Sequence, residues 1–109
     1  MPFPTLSDDG QTVTLDLHGA TVDEAVRLAQ RAVSEARRRG RSSLRLIHGS
    51  STSGGGRRTI KSAVTDLLLD GRLGIPASNA VAGDDVLVLS LGHAGRPDPR
   101  PITLLDIQR

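Results

Sequence analysis

The chain is 109 residues long, carries a formal charge of +2, and contains no cysteine and a single aromatic residue, Phe3. That length supports one compact core, here built from Leu, Ile, Val and Ala, and the missing thiols exclude disulfides, thiolate metal centres and cysteine nucleophiles. No apolar run approaches the roughly 20 residues of a membrane span, and the first ten residues lack the apolar centre of a signal peptide, so a soluble cytoplasmic domain with no membrane partner is expected.

Residues 1–11 read as an N-terminal tail. From Thr12 to His18, apolar Val13, Leu15 and Leu17 alternate with Thr14, Asp16 and His18, the period-two pattern of a strand. After Gly19, Thr21 and Glu24 form a T-x-x-E capping box. Val22, Ala25, Val26, Ala29, Ala32, Val33 and Ala36 then recur at helical spacing, leaving Arg27, Arg31 and Arg38 outward. The triple arginine 37–39 and Gly40 suit a helix C-terminus. Ser43–His48 is a second short strand, closed by Gly49. The Ser- and Gly-rich stretch 50–56 is a loop, and a second helix is expected from about Arg57 to Leu69. A short strand follows at 79–81 and a firm one at 85–91. His93 falls in the next loop, and 95–101 holds three prolines. Residues 102–107 fit an edge strand or a partner contact equally well. The order is β-α-β-α-β-β: an α/β two-layer sandwich, with a mixed sheet and two helices, over 12–92, and a proline-rich extension over 93–109.

Charge is unevenly distributed. Residues 25–65 hold ten basic side chains against one acid, Glu35, whereas the rest holds four against eleven. Such segregation favours a polyanionic partner, because clustered cations release counterions from phosphates. Two strands joined by a crossover helix run parallel and finish at one sheet edge, where open sheets bind ligands. Both finish here in His-Gly: His18-Gly19 and His48-Gly49. The glycines admit close backbone approach. The 49–56 loop opens a helix whose free amides attract phosphate, with Arg57, Arg58 and Lys61 beside its first turn. Arg38 and Arg41 are further candidates for phosphate contact. With Phe3, in the expected tail, as the one aromatic side chain that could stack a base, recognition of backbone and shape is expected. The residues after Gly54 lack the Lys and Ser/Thr of a P-loop, no G-x-S-x-G elbow exists, and the three histidines lack zinc-site spacing.

Leu15-Asp16-Leu17-His18-Gly19 leading into an amphipathic helix resembles the first signature of the Smr (small MutS-related) family. Leu46-Ile47-His48-Gly49, a Ser/Gly loop and then Ile60-Lys61 and Val64 resemble its second, and the likeness runs over roughly residues 12–92. The resemblance implies the fold of the C-terminal domain of translation initiation factor three. It also implies endonuclease action, a phosphodiester hydrolase, on branched DNA or structured RNA, metal-assisted or metal-independent. The alternative is a non-catalytic module that docks on nucleic acid or the ribosome. His18 is the candidate general base or acid, oriented by Asp16. His48 is the candidate second proton-transfer group, and Gly19 and Gly49 are expected to lie against the backbone of the nucleic acid. Asp16 is also the candidate ligand for a divalent cation, Mg or Mn. Where the second signature has a glycine, this chain has Ser51, whose side chain narrows the approach of a phosphate.

Overall fold

The computed structural model describes residues 4–49, 59–92 and 97–108. Its elements are β1 (Thr5–Asp8), β2 (Thr12–Asp16), α1 (Val22–Arg38), β3 (Ser43–Ile47), α2 (Ile60–Leu69), a 3-10 turn (Ala77–Asn79), β4 (Ala80–Ala82), β5 (Val86–Ser90) and α3 (Leu104–Gln108). The five strands form one sheet in the order β1-β2-β3-β5-β4. Only β2 and β3 are parallel, with α1 as their crossover; the other pairs are antiparallel.

Alternation in the strands decides which face the helices cover. Val13 and Leu15 of β2, Leu44 and Leu46 of β3, and Leu87 and Leu89 of β5 are buried and share one cluster with Ala25, Ala29, Ala32 and Ala36 of α1 and Val64, Leu67 and Leu68 of α2. Each leucine so enclosed contributes about 1.5–3 kcal/mol, and the alanines let α1 lie close to the sheet. Thr14, Asp16, Arg45, Ile47, Val86 and Val88 occupy the opposite face, which no helix among the described residues covers and where none of the six is fully buried. The result is a two-layer α/β sandwich with a mixed sheet.

Helix α1 begins where the capping box places it. The Glu24 amide donates to Thr21 Oγ1 and the Thr21 amide to Glu24 Oε1, both at 3.1 Å. It ends on Gly40 at φ +73°. The Gly40 amide donates to the Arg37 carbonyl (3.1 Å) and the Arg41 amide to the Ala36 carbonyl (2.9 Å), the paired closure that a left-handed residue permits.

Three expectations need correction. The stretch read as a tail carries β1, which pairs antiparallel with β2 and places Leu6 against the core. Helix α2 starts at Ile60 rather than Arg57, because Thr59 is its N-cap and accepts from the Ser62 amide at 3.1 Å. Residues 102–107 join no sheet: Ile102 and Ile107 are buried in the core, and Leu104–Gln108 form a third helix. Asp106 nucleates its start by accepting from the Thr103 amide (2.9 Å) and hydroxyl (3.1 Å).

Candidate nucleic-acid interface

The parallel pair continues one step past β2, where the Leu17 amide donates to the Ile47 carbonyl at 2.9 Å. His18 follows on the same face as Asp16, and their side chains meet. Asp16 Oδ1 accepts from the His18 amide at 2.9 Å and lies 2.6 Å from His18 Nδ1. An ionised carboxylate can only accept, so the proton between them sits on Nδ1. A neutral His18 therefore presents Nε2 as a bare lone pair. The imidazole is 57% exposed, and a Cβ built on Gly49 would lie 3.6 Å from its Nε2. The open ring nitrogen thus stands over the glycine that ends the neighbouring strand. Gly49 has φ +82°, a conformation costly for any residue with a Cβ.

His48 is built by the same logic on the adjacent strand. Its Nδ1 lies 2.7 Å from the Gly49 carbonyl. A carbonyl only accepts, so Nδ1 again carries the proton and Nε2 is again the acceptor. The ring is partly buried. Register explains what supports it: Ile47 pairs with Val86, which brings the turn before β5 against the end of β3. The Asp85 carbonyl there accepts from both the His48 (3.0 Å) and Gly49 (3.1 Å) amides. The neighbouring Asp84 carbonyl accepts from Lys61 Nζ at 3.0 Å, so the first turn of α2 is tied to the same turn. At the start of α1, the Thr21 amide and then its hydroxyl hold the Glu24 carboxyl below its usual range.

The structure thus brings Asp16, His18, Gly19, His48, Gly49 and Lys61 to one edge of the sheet. Arg57, Arg58, Ser51 and His93 lie outside the described residues. Arg38 and Arg41 belong to the other end of α1, whose 17 residues span about 25 Å. Arg38 is exposed and pairs with Glu35 at 2.6 Å.

Arg41 has a different part from the phosphate contact expected of it. Its side chain is 1% exposed, facing an Asp8 carboxylate at 0%. Nε donates to both Asp8 oxygens (2.8 and 3.0 Å), Nη1 to the Arg39 carbonyl and Nη2 to the Arg100 carbonyl, both at 2.9 Å. A guanidinium so enclosed ties chain segments together and is out of a ligand's reach.

The sequence pattern did not single out Arg45. It is exposed on the open face, opposite Thr14 in the register that sets Asp16 opposite Ile47. Among the described residues nothing bonds to its side chain. The alternation of β3 was the signal that could have found it.

Among the described residues no three His, Asp or Glu side chains are grouped to hold a metal ion, and Asp16 Oδ1 is already engaged by two donors of His18. A divalent cation at this edge would therefore meet Asp16 through Oδ2. No helix among the described residues is long and apolar enough to cross a membrane.

The family model described as Smr domain matches residues 15–76, a span that opens on β2, closes after α2 and contains both His-Gly pairs. No curated protein and no solved structure matches the chain.

Proposed function

The chain belongs to the Smr domain family, known for nucleic-acid binding and nuclease activity, and from that premise we propose that it is an endonuclease acting on branched DNA or structured RNA. The observation that carries the proposal is the Asp16–His18 pair, which holds Nδ1 of an exposed imidazole and, in the neutral ring, leaves Nε2 as an acceptor over the backbone of Gly49.

In this reading the phosphodiester lies across the His18–His48 rim. His18 Nε2 takes the proton of the attacking hydroxyl or water as its oxygen bonds to phosphorus. Asp16 stabilises the imidazolium that forms and fixes its orientation. The bond to the leaving sugar oxygen breaks, and His48, when protonated, returns a proton to that oxygen. Lys61 contributes positive potential toward the charge that develops on the phosphate. Arg57 and Arg58, from the segment ahead of α2, complete the anion site, and Arg45 meets a neighbouring phosphate from the open sheet face. Contacts of this kind position the backbone without reading bases.

The test is cleavage of a branched DNA and a stem-loop RNA by the wild-type protein, His18→Ala and His48→Ala, with binding measured in parallel. Cleavage is expected to fall by about 10²–10⁴-fold in His18→Ala while affinity changes little. A wild-type protein that binds both substrates and cuts neither, with or without divalent ions, refutes the nuclease. A binding module on nucleic acid or the ribosome is favoured by one residue, Ser51, in place of the glycine of the second signature. It predicts salt-sensitive binding that survives loss of both histidines and falls when Arg57, Arg58 and Lys61 become Ala.

A further inference from the structure

Five arginines cluster where α1 ends, and the usual reason for cations there is the helix dipole. That reason accounts for only part of them. The last carbonyls of α1 are already closed by the Gly40 and Arg41 amides. Arg41 is consumed by Asp8. Arg39 is consumed by Glu35, by Asp106 and by the Arg100 and Pro101 carbonyls. Arg37 donates to the Gly74 carbonyl at 3.0 Å. Arg38 is left 72% exposed, with Glu35 as its ion-pair partner. From the turn after α2, Arg72 arrives beside it, exposed and with no side-chain partner among the described residues.

Between them lies a groove of about 440 Å³, lined by Gln30, Ser34, Arg37, Arg38, Arg72 and Gly74, with Val33 and Leu73 at its base. Among the described residues no carboxylate lines it. Bringing three guanidinium groups from two elements to one concavity costs like-charge repulsion that an anion would relieve.

The groove also continues along the helix. Arg27, Arg31, Ser34 and Arg38 are separated by four, three and four residues, so they fall on one line of α1, and all four are exposed. From Arg27 to Arg38 this line covers about 16 Å. An isolated phosphate is far shorter than that, whereas a nucleic-acid strand advances one phosphate per roughly 3.4 Å and fills it with about five.

Resting on the nucleic-acid reading of the His18–His48 rim, we propose that Arg31, Arg38 and Arg72 form a second, separate contact for the phosphate backbone. It holds an arm of the substrate from about 14 Å (Arg31) to roughly 25 Å (Arg38) from the reacting phosphate, along α1. The rim alone meets a short segment. Rim and groove together select substrates with an arm long enough to reach both, about seven base steps. Arg38 exchanges its water-screened pair with Glu35 for phosphate at little cost, and Glu35 keeps Arg39 as its partner.

The experiment compares wild type with the triple variant Arg31→Ala, Arg38→Ala, Arg72→Ala. The probes are a four-way junction with arms of about fifteen base pairs and the same junction trimmed to about four, each made as DNA and as RNA. All three side chains are exposed, so the melting temperature should stay within a few degrees of wild type. On the long-armed junction the variant should lose about 2.7 from the slope of log affinity against log salt, three contacts at about 0.9 each. Between 50 and 200 mM salt that difference amounts to about 40-fold. On the trimmed junction, whose arms of about 14 Å reach no further than Arg31, the loss should not exceed one contact, and cleavage at saturation should be equal. Equal slopes on the long-armed junction, or equal losses on both junctions, overturn the second contact while leaving the rim intact. A wild-type protein that binds neither junction overturns both.

Discussion

Replacing Asp8 with alanine should destabilise the fold far more than an ordinary surface change, for reasons that also define what Arg41 does. The carboxylate, fully buried as a side chain, accepts from Arg41 Nε, from the Ile102 amide at 2.7 Å and from the Gly10 amide at 2.9 Å. Its removal strands a guanidinium that is 1% exposed. It also frees a backbone amide of the C-terminal segment. Leaving one partner of a buried pair uncompensated costs about 3–5 kcal/mol, a large share of the total available to a domain of this size, about 5–15 kcal/mol. In a thermal melt this corresponds to a fall of roughly 12–25 °C.

Acid should act in the same direction. Burial pushes the Asp8 carboxyl up, but the Arg41 guanidinium and the Ile102 and Gly10 amides outweigh it and hold it below the usual range. A carboxyl lowered on folding contributes its full stability above the unfolded value, about 3.9, and loses it as pH falls through the lower folded value. The gap between wild type and Asp8→Ala should therefore be constant near neutrality and narrow below about pH 4. Asp8→Leu combined with Arg41→Met should recover much of the loss, because the buried charge is removed along with its partner. A melting temperature for Asp8→Ala within about 3 °C of wild type would refute the buried pair as a tie between β1, the α1–β3 turn and the C-terminal segment.

Other changes separate structure from chemistry. Gly49→Ala should cost about 1–2 kcal/mol through its positive φ. Its methyl would stand 3.6 Å from His18 Nε2, and turnover should fall about tenfold or more; unchanged turnover in a destabilised variant would show that Nε2 is not the reacting atom. Asp16→Asn should keep affinity for nucleic acid and lower single-turnover cleavage by about 10²-fold or more, since the amide no longer compensates an imidazolium; equal rates would remove Asp16 from the reaction. Thr59→Ala deletes the side chain that accepts from the Ser62 amide and should lower stability by about 1 kcal/mol, read as a shift in urea midpoint at constant m-value.

The parts of the fold that local chemistry dictates were legible in the sequence. Thr21 and Glu24 announce the start of α1 and Gly40 its end, and the alternation from Val13 to Leu17 identifies both the strand and the face that carries Asp16 and His18. The twin His-Gly endings foretell a shared edge because a crossover helix makes the strands parallel. What stayed hidden depends on distant partners. β1 has one apolar residue, Leu6, and becomes a strand because β2 lies beside it and Asp8 finds Arg41, 33 residues on. Arg41 reads as one more solvated charge until that carboxylate is seen. The C-terminal helix is five residues long, too short for periodicity to declare, and it is held by burial of Ile102 and Ile107 and by the Arg39–Asp106 pair.

The central claim is that two imidazoles, each anchored through Nδ1, turn their Nε2 atoms toward one phosphate, that of His18 to take a proton and that of His48, once protonated, to return one. Long-range proton–nitrogen NMR of the histidine rings, recorded with and without a saturating, uncleavable junction at a pH where the rings are neutral, tests it directly. The account predicts Nδ1-protonated tautomers for His18 and His48, and displacement of both Nε2 resonances when the junction is added. Protonated Nε2 atoms in the free protein, or two rings whose resonances stay in place under saturation, would contradict it.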